Sequence, residues 1–303
     1  MKLSWVVHRH GKVMPEFKVY APLSKFPWRG TTFSVAPGVE IIQRPQPYPL
    51  RGFDERLTQG DREELFFASY WLTIDWSPGD APRASEIVNL FLLSLWLSRP
   101  TKTHVKFRFE VATDPEAAPG SMARLLDQFS WVEGATADDV TDAELAAASS
   151  LFASLHEIRL TAPRLSNALR LTLAGCQASQ WQVALVCFAA AAEAILTYQT
   201  GSGITRRLAL AYACLLTQME SERHRLFREF RELYGKRSDV MHGRGYAMPS
   251  SERLPTLARF GDALRELWKT VVGSTAIMQE LEATDAQRKL FFGRLQGAYS
   301  PPS

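Results

Sequence analysis

Ala190-Ala191-Ala192-Glu193-Ala194-Ile195-Leu196, then Gly201-Ser202-Gly203, then Arg206-Arg207-Leu208-Ala209-Leu210-Ala211: two apolar helical stretches with a glycine break between them decide how the second half of this chain folds. Alanine and leucine favour helix, and so short a connection turns the second helix back along the first. Working outward, the apolar spacing predicts helices over about 164–177, 180–200, 204–218 and 221–234, with Gly235 as a C-terminal cap. A final long helix is predicted over about 252–282. Upstream, Thr141-Asp142-Ala143-Glu144 is a capping box that opens a helix running to about Leu160, before Pro163. Short connections between apolar-striped helices imply an all-α antiparallel bundle over residues 141–303.

The first third reads differently. Thr31-Thr32-Phe33-Ser34-Val35, the Pro37-Gly38 turn and Val39-Glu40-Ile41-Ile42-Gln43 form a predicted strand pair. The aromatic and β-branched run Phe67 to Trp76 is a third strand, ending at Pro78-Gly79. His104 to Val111 alternates strictly, the mark of a half-buried strand. Between these lies a helix over Ala84 to Ser98, stopped by Pro100. Residues 1–115 therefore read as a small, strand-rich α+β domain, 116–140 as a connecting region, and the whole chain as α+β with a helical second half.

At 303 residues the chain has room for two modest domains or one large one. A net charge of +3 announces no nucleic-acid partner globally, so any such partner must be met by a local basic patch. Cys176, Cys187 and Cys214 lie in apolar helical segments without zinc spacing, and read as buried free thiols of a reducing compartment. Met1 to His10 turns polar too early for a secretory signal, and the apolar run Ile87 to Leu97 is too short to span a bilayer. The expectation is a cytoplasmic protein with no membrane partner. His8-x-His10 lacks a third ligand, so it reads as an exposed strand end and no metal is expected.

The stretch that carries chemistry is Arg237-Ser238-Asp239-Val240-Met241-His242-Gly243. Arginine is always charged and forks onto phosphate oxygens. Histidine moves protons near neutral pH. Together they could cleave RNA without a metal, the ribose 2′-OH attacking its own phosphate. On one continuous helix the two side chains would sit about 140° apart. They converge only at a helix junction, which Gly235, Gly243 and Gly245 favour.

From about Trp181 to Gly243 the chain resembles the Apea-like branch of the HEPN superfamily. The resemblance rests on the acid-bearing helix at Glu193, the glycine break, the Arg206-Arg207 helix start and the Tyr234 to Gly243 ending. Many HEPN nucleases carry Asn, Asp or His after the arginine, where this chain has Ser238. The resemblance implies a metal-independent endoribonuclease of defence or stress-response type, without a cofactor. Its catalytic residues would be Arg237 and His242, with Glu193, Ser238 and Asp239 supporting or orienting them. One histidine does not easily serve as both base and acid, so the resemblance also implies a homodimer presenting two motifs to one RNA. An antitoxin or regulatory protein is a further implied partner, and the N-terminal domain would be a sensor or regulator. The alternative is a non-catalytic HEPN module that binds RNA or nucleotide, or mediates assembly.

Glu193 is costly to bury alone. It either pairs with Arg237, Arg206 or Arg207, or points to solvent at the bundle edge. Arg223, Arg225, Arg228 and Arg231 interleave with Glu220, Glu222, Glu229 and Glu232, which reads as a salt-bridged helix face. The candidates for RNA backbone contacts are Arg206, Arg207, Lys236 and Arg244, with Tyr246 as a base-stacking candidate.

Overall fold

The computed structural model describes residues 16–45, 53–76, 83–113, 120–124, 139–198, 203–244, 248–297 and Tyr299. The fold is α+β, and the chain divides into two compact units, Met1–Ala153 and Ser154–Ser303. The first is built on a six-stranded antiparallel sheet in the order β2-β3-β4-β1-β5-β6. Its strands are β1 (Phe17–Leu23), β2 (Thr32–Ala36), β3 (Val39–Gln43), β4 (Tyr70–Trp76), β5 (Phe107–Ala112) and β6 (Ser121–Arg124).

Five successive residues of β4, Tyr70 to Ile74, are buried, so both faces of the sheet are covered. On one face Trp71, Phe107 and Phe109 cluster with Phe53, Leu57 and Leu65, the last from α1 (Gln59–Phe67). Helix α2 (Ala84–Ser98) packs on β4 and buries every residue from Leu90 to Leu97, as a helix apolar on all sides must. Its buried Ser94 hydroxyl donates to the Phe91 carbonyl at 2.8 Å. The corner between α1 and β5 is ionic. Buried Asp61 pairs with Lys106 at 3.0 Å and with Arg124, while Glu64 pairs with Lys106 and His104, each at 3.0 Å. Burial alone would raise the Asp61 carboxyl, but hydrogen bonds from Thr58 and Lys106 outweigh it and hold it at about 2.

The division falls inside α3 (Asp142–Thr161). Its first turns belong to the sheet unit. Trp28 Nε1 donates to Asp142 at 2.8 Å, Ser149 to the Val35 carbonyl at 2.6 Å, and Arg99 pairs with Glu144 at 3.0 Å. Glu144 also closes the box with Thr141 that the sequence predicts.

The second unit is all-helical: α4 (Pro163–Gln177), α5 (Trp181–Leu196), α6 (Ile204–Leu216), α7 (Glu220–Met241), α8 (Ser250–Val272), α9 (Thr275–Glu282) and α10 (Asp285–Gln296) follow the end of α3. Helix α4 packs on α5, α6 on α7, and α5 is wrapped further by α8. The glycine break at 201–203 is described only from Gly203, which takes φ +75° ahead of α6. Glu282 at the end of α9 accepts from the backbone N–H groups of Arg164 and Leu165, and so caps α4. Among the described residues no helix is long and apolar enough to cross a membrane.

Several boundaries differ from the sequence reading. The predicted helix 252–282 is two helices, broken at Gly273 and Ser274, and α10 follows it. Phe67 closes α1 rather than opening β4, and β5 begins at Phe107, with His104 in an isolated bridge to Ser24. The difference that bears on function is α7, which continues through Gly235 to Met241.

Glycine in the tightest helix contact can be tested directly. A Cβ on Gly175 of α4 would lie 2.5 Å from the Phe188 ring and 3.2 Å from the Ala184 carbonyl. Gly175→Ala is therefore expected to destabilise the protein by about 1–3 kcal/mol through overpacking, against its better helix propensity. Gly235→Ala meets nothing within 4 Å and should stabilise instead. Thermal melts of the two variants check the contrast, and equal shifts would refute it.

Candidate active site

The motif straddles the end of α7. Leu226, Phe227, Phe230, Leu233 and Tyr234 seat the helix in the bundle, and beyond Tyr234 none of its residues is buried. The helix closes on glycine. Gly243 adopts φ +71°, its N–H donates to the Val240 carbonyl at 3.1 Å, and the Arg244 N–H donates to the Asp239 carbonyl at 2.7 Å. This is a Schellman cap, so the His-Gly pair has a backbone role: His242 is the last residue before the left-handed turn.

Because α7 is continuous, the junction expected to bring Arg237 and His242 together is absent. At about 100° per residue, Arg228, Gly235 and His242 follow one stripe, with Arg231 and Ser238 beside it. Arg237 falls roughly opposite. The two motif residues of one chain thus point to different sides of the same helix.

On the inner side, Arg237 Nη2 lies 3.3 Å from Glu193 Oε1. The same oxygen accepts the Tyr234 hydroxyl at 2.6 Å, and the Arg237 guanidinium sits 5.8 Å from the Tyr234 ring centre. Burial, together with the Glu193 hydrogen bond, pushes the Tyr234 phenol well above its ordinary value, so it remains a donor. Arg237 Nε is buried without a hydrogen-bond partner among the described residues, while the side chain as a whole is 32% exposed. Of the three partners open to Glu193, it takes Arg237. Tyr234 is a member of this cluster that the sequence reading quotes but gives no part; its place three residues before Arg237, on the same side of a helix, is the signal.

On the outer side lies an open groove of about 630 Å³, lined by Arg228, Arg231, Lys236, Glu232, Ser238 and Asp239 around bare Gly235. Both acids are engaged: Glu232 pairs with Arg259 at 3.2 Å and Asp239 with Arg244 at 3.3 Å. Arg228, Arg231 and Lys236 form no ion pair among the described residues. The groove is thus left basic, and the exposed His242 continues its stripe. Arg228 and Arg231 were assigned above to a salt-bridged face. That reading holds for Arg225, which pairs with Glu222 and with Glu229 at 2.7 Å. Arg223 is buried instead, donating to the Thr217 carbonyl at 2.8 Å and to Gln218 at 2.6 Å.

The other candidates are scattered. Arg206 is exposed at the start of α6, Arg207 is half-buried there, and Arg244 is tied to Asp239. His8, His10, Gly245 and Tyr246 lie outside the described residues. Among those described, no three His, Cys, Asp or Glu side chains gather as metal ligands. Comparison with protein-family profiles, curated proteins and solved structures returns no match, so the functional reading rests on this chain's own residues.

Proposed function

We propose that the chain is a metal-independent endoribonuclease of defence or stress-response type, related to the Apea-like HEPN proteins and working in the cytoplasm as a homodimer on RNA. The observation that supports it best is the row of unpaired cations on α7 leading to an exposed imidazole. Phosphates lying along Arg228, Arg231 and Lys236 would bring a ribose to His242. His242 takes the 2′-OH proton, the 2′-oxygen attacks phosphorus, and the bond to the 5′-oxygen breaks. A second His242, from the partner copy, returns a proton to that leaving oxygen. Arg237 of the partner would hold the charge that builds on the phosphate. Glu193 and Tyr234 hold its guanidinium, while Ser238 and Asp239 line the groove. Control by an antitoxin or regulatory protein fits such an enzyme.

Incubation of the purified protein with total RNA in EDTA tests the chemistry. The expected products carry 2′,3′-cyclic phosphate and 5′-hydroxyl ends, DNA survives for want of the 2′-OH, and His242→Ala is inactive. Strong inhibition by EDTA, or cleavage of DNA, would sink the proposal.

A second reading has its own support. Arg237 is turned to Glu193, on the opposite side of α7 from His242, which suits a basic groove that binds RNA or nucleotide, or mediates assembly, without cutting. RNA retention by the protein with no cleavage under any condition would favour it.

A further inference from the structure

The sheet unit carries a cavity that the cleavage reading does not use. Its volume is about 330 Å³, its floor is Leu23, Phe26 and Pro27, and its rim is Phe67, Lys25 and Lys102. That is near the lower bound of small-ligand sites.

Three features set it apart from an ordinary surface dip. Phe67 stands 76% exposed at the end of α1, edge-on to Phe66 with ring centres 5.5 Å apart. Phe66, itself 66% exposed, has the Arg44 guanidinium 5.3 Å from its ring centre, and that group donates to the Leu65 and Phe66 carbonyls. Among the described residues no cation lies over Phe67. Next, Lys25 holds φ +54°, a left-handed backbone that a lysine rarely adopts. The paired Ser24 and His104 backbones, at 2.9 and 3.2 Å, and the Thr103 hydroxyl, donating to the Lys25 carbonyl at 3.4 Å, hold it there. Such strain gathers at ligand sites. Finally, the Lys25 and Lys102 side chains are exposed at the rim and form no ion pair among the described residues. The neighbouring carboxylate, Glu64, is taken up by Ser24, His104 and Lys106.

An uncovered aromatic ring beside two free ammonium groups, over an apolar floor of this size, matches a flat base joined to a phosphate. We propose that this cavity binds a nucleotide, its base against Phe67 and its phosphate between Lys25 and Lys102, whether free or at the end of a strand. Stacking on the ring tolerates any base, and compact ammonium groups suit a phosphate. The site is independent of the groove on α7.

Calorimetric titration of the full chain tests it, using the four nucleoside monophosphates, adenosine, inorganic phosphate and a short single-stranded RNA. His242→Ala protein is used for the RNA arm so that the strand stays intact. Monophosphates are expected to bind, with adenosine and phosphate each weaker by about tenfold or more, since each keeps half the contacts. Phe67→Ala and Lys102→Ala should each weaken binding about tenfold. Lys25→Gly should do the same while easing the left-handed turn, so a folding defect does not explain its loss. Phe66→Ala, which removes only the edge-on neighbour of Phe67, should weaken binding less than Phe67→Ala does. A component of RNA binding that a monophosphate displaces and Phe67→Ala removes identifies a strand end as the source, and RNA binding that Phe67→Ala and the monophosphate both leave unchanged identifies the free nucleotide. No monophosphate binding at millimolar concentration, or binding unmoved by the Phe67, Lys25 and Lys102 variants, overturns the proposal.

Discussion

Arg237→Lys is expected to lower RNA cleavage by about 10²-fold or more while the protein stays folded. The reasoning is geometric. A lysine keeps the positive charge and can still reach Glu193, so the inner contact that seats the end of α7 survives in outline. It loses the planar fork. Arg237 spends Nη2 on Glu193 at 3.3 Å, and with the side chain 32% exposed part of the guanidinium still faces outward. A phosphate in its transition state needs donors aimed along two oxygens at once, which a single ammonium point charge does not supply. Thermal melting separates the outcomes. Unchanged stability with lost activity supports the clamp, whereas near-normal cleavage would reduce Arg237 to an ion pair that fastens α7 to α5.

Mixing Arg237→Ala with His242→Ala protein is expected to restore cleavage that neither variant shows alone. The two residues of one chain face opposite sides of α7, so the proposed site takes its arginine from one copy and its histidine from the other. In a freely exchanging two-fold dimer half the molecules are mixed, and each mixed dimer keeps one complete arginine–histidine set. Recovery is therefore bounded at about a quarter of the wild-type rate. The single remaining His242 must then serve as base and acid in turn, which holds recovery below that bound. Chains that sediment as monomers at micromolar concentration yet cleave at full rate would exclude the composite site.

The parts of this fold that were legible in the sequence are those where local chemistry and tertiary contact agree. Thr141 and Glu144 announce their helix, and Pro37-Gly38 its hairpin, because a cap and a tight turn are decided within a few residues. The helix Ala84–Ser98 was legible from its apolar stripe and from Pro100 beyond its end. Central strand β1 was not. Phe17 to Leu23 contains Pro22, and its place between β4 and β5 depends on partners about 50 to 90 positions away. Gly235 misled for the opposite reason. A glycine after a polar helix resembles a cap, yet the residues beyond it are still held by the Arg237–Glu193 pair and reach a better cap at Gly243. The Glu193 partner was legible as one of three arginines. The divergence of Arg237 from His242 followed only once α7 was seen to be continuous. The cavity at Lys25 was not legible, since a left-handed lysine has no signature in the sequence.

The glycine in the middle of α7 also divides that helix in time. From Leu226 to Tyr234 it is moored by buried side chains, and it opens only when the bundle does. From Gly235 to Met241 no side chain is buried, and glycine, the residue with most conformational freedom to lose, begins the segment. Among the described residues these last two turns are joined to the bundle by the Arg237–Glu193 ion pair, and they end on a backbone cap. Amide exchange over residues 235–243 is therefore expected to be faster than over 226–234, the mark of an end that opens without the rest of the helix. The arginine and the histidine therefore ride on the less firmly seated end of α7, and a ligand that holds them together would also fasten that end.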